Sequence, residues 1–319
     1  MSKVYDSALQ ERLIRYLESG VITQADLAKR IGRTGAALSR YKNSRYDNGD
    51  VEALERDLRE YFQRADERAE AAERALKYGR IRGYVPTRTS EDVYKMIRYC
   101  QIEKKLVLIY GDTGVGKTMA AMKFCEDNPA GTVYIEAAPS TSSLRGTLRS
   151  IADEMKLSTK MPIGDLSKAV RKKLADGEKT LIIDEAQNLS IPLLNEITRW
   201  TDPDRCTGES RIAIALIGND GLWEKFNGDV DERRWQMRGR MSLRRICRTT
   251  AATMDDIRKL FPVLAERGMQ REMELLLAIA RGKTGTRSAI MAYNNTVNSQ
   301  DLSYDSLYNA ARVNDAVFF

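Results

Sequence analysis

The sequence predicts an α/β fold, a mostly parallel sheet flanked by helices and carrying a phosphate-binding loop, preceded by an all-α N-terminal segment. Three observations lead there. Short apolar runs at 105–110, 132–137, 180–184 and 212–218 alternate with stretches of helical character, as in parallel sheets that hold a ligand at their carboxyl edge. A glycine loop follows the first run directly. The first 60 residues show helical spacing throughout.

At the N-terminus, Leu9, Leu13, Tyr16 and Leu17 recur at helical spacing before Gly20, a helix stop. Thr23 is placed to cap a short helix whose inner face is Leu27, Ala28 and Ile31. Gly32 supplies a turn, Thr34 caps the next helix, and Leu38 and Tyr41 point inward. Two short helices joined by a glycine-containing turn predict a helix-turn-helix domain over 1–50. Six basic residues and no acid lie between Lys29 and Arg45. Of these, Arg33, Arg40, Lys42 and Arg45 fall on or beside the second helix, where phosphates and base edges would be met. The plainer alternative is a small bundle with a solvated basic face.

From Val51 a narrow apolar seam runs through Leu54, Leu58, Tyr61, Ala65, Ala69, Ala72 and Leu76, which predicts one long helix. Its alanines and tyrosine do not favour a strong coiled coil, so 51–85 reads as a helical connector. Gly79, Gly83 and Pro86 then break the pattern and mark a boundary near residue 85.

After a short helix (90–99) comes the apolar strand Lys105–Tyr110, then Gly111-Asp112-Thr113-Gly114-Val115-Gly116-Lys117-Thr118, with Met119 entering the following helix. Strand, glycine loop and helix are the context a phosphate-binding loop needs. Its backbone N–H groups wrap phosphates at a helix N-terminus. Lys117 would reach the β- and γ-phosphates, and the Thr118 hydroxyl would meet Mg²⁺. Further on, Thr180-Leu-Ile-Ile-Asp184-Glu185 is a buried strand ending in two acids. Asp184 suits Mg²⁺, and Glu185 suits polarising a water. A strand over 212–218 ends at Asn219, whose amide can orient that water or be an ordinary turn residue.

Composition removes other chemistries. The chain has 319 residues, 52 Lys and Arg against 45 Asp and Glu, a net charge of +7, and no histidine. Without histidine there is no Ser-His-Asp or Cys-His catalysis and no histidine-bound zinc water. Cys100, Cys125, Cys206 and Cys247 lie far apart with no CxxC spacing, the usage expected of reduced thiols in a cytoplasmic protein. No apolar run reaches the ~18 residues of a membrane span, and the first residues lack the apolar core of a signal peptide. The positive charge sits at the ends. Residues 1–90 carry 18 basic and 14 acidic groups, 91–230 carry 19 and 21, and 231–319 carry 15 and 10. Seven arginines and no acid lie between Arg233 and Arg248.

The set Gly111–Thr118, Asp184-Glu185, Asn219, an arginine-rich turn and Gly285-Thr286-Arg287 resembles the AAA+ ATPases. Pro86-Thr87 with the helix leading to Leu106–Gly111, and the run Asp184-Glu185-Ala186-Gln187-Asn188-Leu189, make it similar to their transposition branch, which includes the phage Mu B, IstB and TnsC/TniB proteins. The N-terminal helix pair points to the Mu B side of that branch. The resemblance spans about residues 5–300. It implies an α/β P-loop AAA+ core over 86–250 and a small helical lid over 251–319. It also implies ATP and Mg²⁺ as ligands, with Asn219 as a first sensor of the γ-phosphate. Members place an arginine finger, given in trans, in a Ser-Arg step before the last strand. Here glycine replaces serine in Arg238-Gly239-Arg240, so Arg240 is the first candidate, Arg238 the second, and Arg233 and Arg234 follow. A second sensor would be Arg287, opening a lid helix over 288–298. A trans arginine is worth about 10³–10⁵ in rate, so activity should depend on assembly.

The resemblance further implies a DNA-dependent ATPase that coats duplex DNA as a homo-oligomer or helical filament and hands it to a transposase, away from any membrane. Two alternatives share these motifs: a replication initiator or helicase loader, and a nucleotide-switched helix-turn-helix transcriptional regulator. Coating and loading predict salt-sensitive, weakly specific binding; a regulator predicts a palindromic site and a large specificity ratio. Arg145 and Arg149, after the second strand, are candidate DNA contacts, as are Arg171, Lys172 and Lys173. For each, the alternative is a solvated helix face.

Overall fold

In a computed structural model of the chain, the described residues are 5–46, 49–203, 211–227 and 232–313, without the side chains of 74–76 and 233. The Leu76 and Arg233 side chains and Cys206 therefore lie outside the described residues. The chain forms two compact units, Met1–Lys77 and Tyr78–Phe319.

Among the described residues the first unit forms four helices, α1 (Ser7–Glu18), α2 (Gln24–Arg30), α3 (Gly35–Lys42) and α4 (Val51–Lys77). Thr23 and Thr34 cap α2 and α3, each accepting from the amide three residues on at 3.2 Å. Gly32 between them has φ +69°. Leu9, Leu13, Leu27, Leu38 and Tyr41 meet in one core, while Ile31 packs at its margin. The helix read as a connector joins this core with Val51, Leu54, Leu58 and Phe62. Beyond Phe62, Ala65 of the seam is half-buried and Ala69 and Ala72 are exposed. Phe62 went unnoticed in the sequence because it sits beside the seam rather than on it. Buried Glu55 of α4 accepts from the Tyr41 hydroxyl at 3.0 Å and from the Asp6 amide at 2.8 Å, locking α1, α3 and α4 together.

In the second unit, α5 (Arg88–Glu103) is followed by β1 (Leu106–Gly111), α6 (Lys117–Asp127) and β2 (Thr132–Glu136). Then come α7 (Leu144–Glu154), α8 (Ile163–Asp176), β3 (Thr180–Asp184), α9 (Ile191–Thr198), β4 (Ala213–Ile217), α10 (Asp220–Asn227), α11 (Glu232–Arg240) and β5 (Met241–Cys247). A helical subdomain closes the chain with α12 (Met254–Leu260), α13 (Pro262–Glu266), α14 (Gln270–Arg281), α15 (Gly285–Ser299) and α16 (Tyr304–Val313).

Among the described residues five strands lie in the order β2-β3-β4-β1-β5, and every pairing is parallel. Strands β1, β3 and β4 are buried along their whole length, as a sheet covered by helices on both faces requires. One face packs on α7–α11 and the other on α5 and α6. The carboxyl ends of β1, β3 and β4 therefore reach the same edge, with the glycine loop, Asp184-Glu185 and Asn219 just beyond them. The closing helices have a separate core around Phe261, Leu276 and Tyr293.

Candidate active site

The loop after β1 is shaped by glycines with positive φ, Gly114 at +71° and Gly116 at +95°, a region costly for other residues. Gly114 has a second constraint. A Cβ there would stand 2.1 Å from the Thr284 carbonyl oxygen, so only glycine lets the start of α15 settle on the loop. The Thr286 hydroxyl donates to the Gly114 carbonyl at 2.6 Å and the Arg287 amide at 3.2 Å.

Lys117 opens α6 and curls back on its own loop, donating to the carbonyls of Gly111 at 3.0 Å and Asp112 at 2.6 Å. Burial holds its pKa below the ordinary lysine value. Beside it the Thr118 hydroxyl donates to Asp184 Oδ2 at 2.6 Å. The same oxygen accepts from Tyr134 at 3.3 Å, and burial, then the Asp184 charge, push that phenol's pKa upward. Glu185 sits in the left-handed region at φ +51°. Its carboxylate accepts from the Gln187 amide nitrogen, while Gln187 Oε1 accepts from the Asn219 amide at 3.2 Å.

A cleft of about 430 Å³ joins these groups. Thr113, Gly114, Gly116, Lys117, Thr118, Met119, Glu185 and Asn219 line one end, and Arg287 enters from α15. The cleft's apolar end is the part lined by Ile81, Val85, Leu260, Ile290 and Met291. The sequence reading missed this apolar end because its residues come from three separate stretches with no motif. Asp112 points away from the cleft. It accepts from the Thr249 amide at 2.8 Å and from Arg248 at 2.9 Å. Burial disfavours its charge, but the Thr249 amide and Arg248 outweigh that and set its pKa below the usual carboxylate value. Arg248 also reaches Asp220, beside Asn219, at 2.7 Å.

The arginines between 233 and 248 are mostly engaged within the chain. Arg240 forms a forked pair with Asp202, at 2.6 and 3.2 Å. Arg238 lies over the rings of Trp223 and Trp235, Arg244 over Trp223, and Arg245 pairs with Asp92. In the first unit, Arg33 is held by Asp57 of α4 at 2.8 Å, whereas Arg40 and Arg45 are exposed and Lys42 is half-buried. Arg145 and Arg149 are exposed along one side of α7, and Lys173 is turned inward onto the Met155 carbonyl. Cys100 and Cys247 are buried and Cys125 is half-buried. Burial raises all three thiols, that of Cys247 to about 11, which leaves them inert.

A parallel sheet with a phosphate loop, paired acids and a polar residue at three adjacent strand ends, and a helical cap, defines a P-loop ATPase of the AAA+ type. Residues 101–226 match the model of the AAA domain family. Over 223 residues the chain is 31 % identical to the Mu-like prophage FluMu DNA transposition protein B of Haemophilus influenzae, covering 70 % of this chain and 73 % of that protein. The ATP-dependent target DNA activator B of Escherichia phage Mu is 26 % identical over 223 residues, covering 70 % and 67 %. The chain belongs to this family of transposition B proteins. Among solved structures, the Aeropyrum pernix ORC2 protein in its ADP form superposes with a TM-score of 0.53 at 18 % identity, over 73 % of this chain and 71 % of that one. Cdc6p from Pyrobaculum aerophilum gives 0.50 at 18 % identity over 68 % of this chain and 63 % of that one, less than two thirds of its length. These two likenesses concern the fold alone.

Proposed function

We propose that the protein hydrolyses ATP, assembles on duplex DNA as an oligomer or helical filament, and presents that DNA as target to a transposase. The observation that carries this reading is the convergence of Lys117, Thr118, Asp184, Glu185 and Asn219 on one cleft, in a member of a family whose phage Mu relative is named an ATP-dependent target DNA activator.

The apolar end of the cleft takes the base, and the glycine loop takes the phosphates at the N-terminus of α6. Lys117 is a half-buried cation that donates to the Gly111 and Asp112 carbonyls, so a polyphosphate would give it an anionic partner. Thr118 and Asp184 present two hard oxygens 2.6 Å apart beside the phosphate loop. Among the described residues no three acidic, histidine or cysteine side chains form a metal cluster, and few protein ligands are what Mg²⁺ uses when phosphates and waters complete its shell. That ion, when bound, neutralises charge on the β- and γ-phosphate oxygens. Glu185 accepts the proton of the attacking water, and the Asn219 side chain orients it. Arg287, on α15, reads the phosphates from the lid side. Arg240 is the first candidate for the arginine given to a neighbouring subunit, and Arg238 the second; Arg240 must leave Asp202 to serve.

For DNA, α2 and α3 act as a helix-turn-helix with Arg40, Lys42 and Arg45 facing phosphates, and Arg33 bracing α3 against α4 through Asp57. Arg145 and Arg149 add a second basic row on the ATPase unit. No helix among the described residues is long and apolar enough to cross a membrane, and the proposed site of action is the DNA in the host cytoplasm. Electron microscopy with duplex DNA tests the whole reading: ordered coating with ATP is expected, none without it, and none from Lys117→Ala. Normal coating by Lys117→Ala sinks it.

A further inference from the structure

We infer that Gln187 is a positioning residue that couples the water-activating carboxylate Glu185 to the Asn219 turn, through one side-chain amide that serves both. This rests on the proposed role of Glu185.

The amide of Gln187 is used at both ends. Its nitrogen donates to Glu185 Oε2, and its oxygen accepts from the Asn219 backbone at 3.2 Å. Three further features hold this clasp in place. Gly218, just before Asn219, leaves the space it occupies, for a Cβ at 218 would stand 2.5 Å from Gln187 Oε1. Lys225 of α10 donates to the Gln187 carbonyl at 2.5 Å and to the Leu189 carbonyl at 2.6 Å, stitching the turn after β3 to the helix after β4. Glu185 itself holds a left-handed backbone, so its direction is not that of a relaxed strand end and needs a restraint. Asp184, one residue earlier, has its own restraints in Thr118 and Tyr134. Gln187 supplies the corresponding one for Glu185.

The chemistry calls for an amide. A primary amide offers a donor and an acceptor together, so it can face a carboxylate on one side and a backbone N–H on the other. Glutamate keeps the acceptor and replaces the donor with a second negative charge. Methionine keeps the length and loses both.

Single-turnover and steady-state ATP hydrolysis by the full chain with duplex DNA, alongside nucleotide binding, tests this. Gln187→Met and Gln187→Glu should each lower kcat by about 10- to 100-fold, the scale of a misplaced reacting group, with ATP Kd within twofold of the parent. Gly218→Ala, which displaces the amide while leaving Gln187 present, should lower kcat on the same scale, with some loss of ATP affinity because Gly218 also lines the cleft. The double variant Glu185→Gln/Gln187→Met should be no slower than Glu185→Gln alone, since the two act as one unit. Parental kcat in Gln187→Glu, or a loss of ATP affinity that matches the loss of rate, overturns the coupling. If Glu185→Gln hydrolyses ATP normally, the parent reading falls and this inference with it. If Glu185→Gln is inactive while both Gln187 variants are parental, only this inference falls.

Discussion

Asp112 looks like a phosphate-loop residue by position, yet its carboxylate turns outward to the Thr249 amide and Arg248. It ties the loop to the end of β5. Its pKa is lowered in the folded protein, so its contribution is present above the unfolded carboxylate pKa of about 3.9 and is lost as pH falls through the folded value. Asp112→Asn should therefore cost about 1–2 kcal/mol near neutral pH, and its unfolding curve should converge on the parent's below about pH 4. Chemical denaturation across pH checks this; a constant gap down to pH 2.5 contradicts it. The positions of motif residues are legible in the sequence because they are set by neighbours in the chain. Thr23, Thr34, Lys117, Thr118 and Asp184-Glu185 are of this kind. Gln187 lies within the run Asp184–Leu189, but its partner Asn219 arrives from another strand, and no local pattern encodes that meeting.

At the scale of elements, the strand positions follow from apolar runs, although β3 ends at Asp184, one residue before the second acid, because Glu185 turns into the left-handed region. The last strand, β5, was expected only as something following the arginine-rich turn. Its exposed edge carries Arg244 and Arg245 among Leu243 and Ile246, so it lacks the apolar signature of a buried strand. Sequence periodicity likewise could not show where α4 stops packing. Leu58→Ala, a buried truncation in the first unit, should cost about 2–5 kcal/mol there. Hydrogen exchange should quicken across α1 to α4 and stay unchanged in β1, β3 and β4; equal quickening in both units would contradict the separate cores. At the junction of loop and lid, Gly114→Ala adds a methyl aimed at the Thr284 carbonyl and a backbone strain of about 1–2 kcal/mol. It should weaken ATP binding by about tenfold or more, read by titration with a fluorescent ATP analogue.

For the whole molecule, net charge alone said little, whereas its placement was informative. The +7 of the chain matches in size the seven arginines from 233 to 248, but those described there are largely spent on Asp202, Asp92, Asp112, Asp220 and two tryptophans. The exposed basic groups of α3 and α7 are freer, and the proposed DNA contacts lie there. Arg40→Ala and Arg145→Ala should each weaken duplex binding about equally across sequences and reduce the slope of log K against log salt by about 1. A change in sequence preference without a change in slope would mark base readout instead.

The segment from Tyr78 to Val85 has one more consequence. Its Ile81 amide and carbonyl are both bonded to Asn294 of α15, and Tyr293 donates to the Tyr78 carbonyl. Ile81, Gly83 and Val85 also form a wall of the cleft. The polypeptide thus leaves α4 through the lining of the proposed nucleotide cleft, and on that proposal a base bound there would shield the backbone leading to the N-terminal helices. Trypsin should register it directly, cutting after exposed Arg82 more slowly with ATP present, while cleavage within the solvent-facing half of α4 keeps its rate.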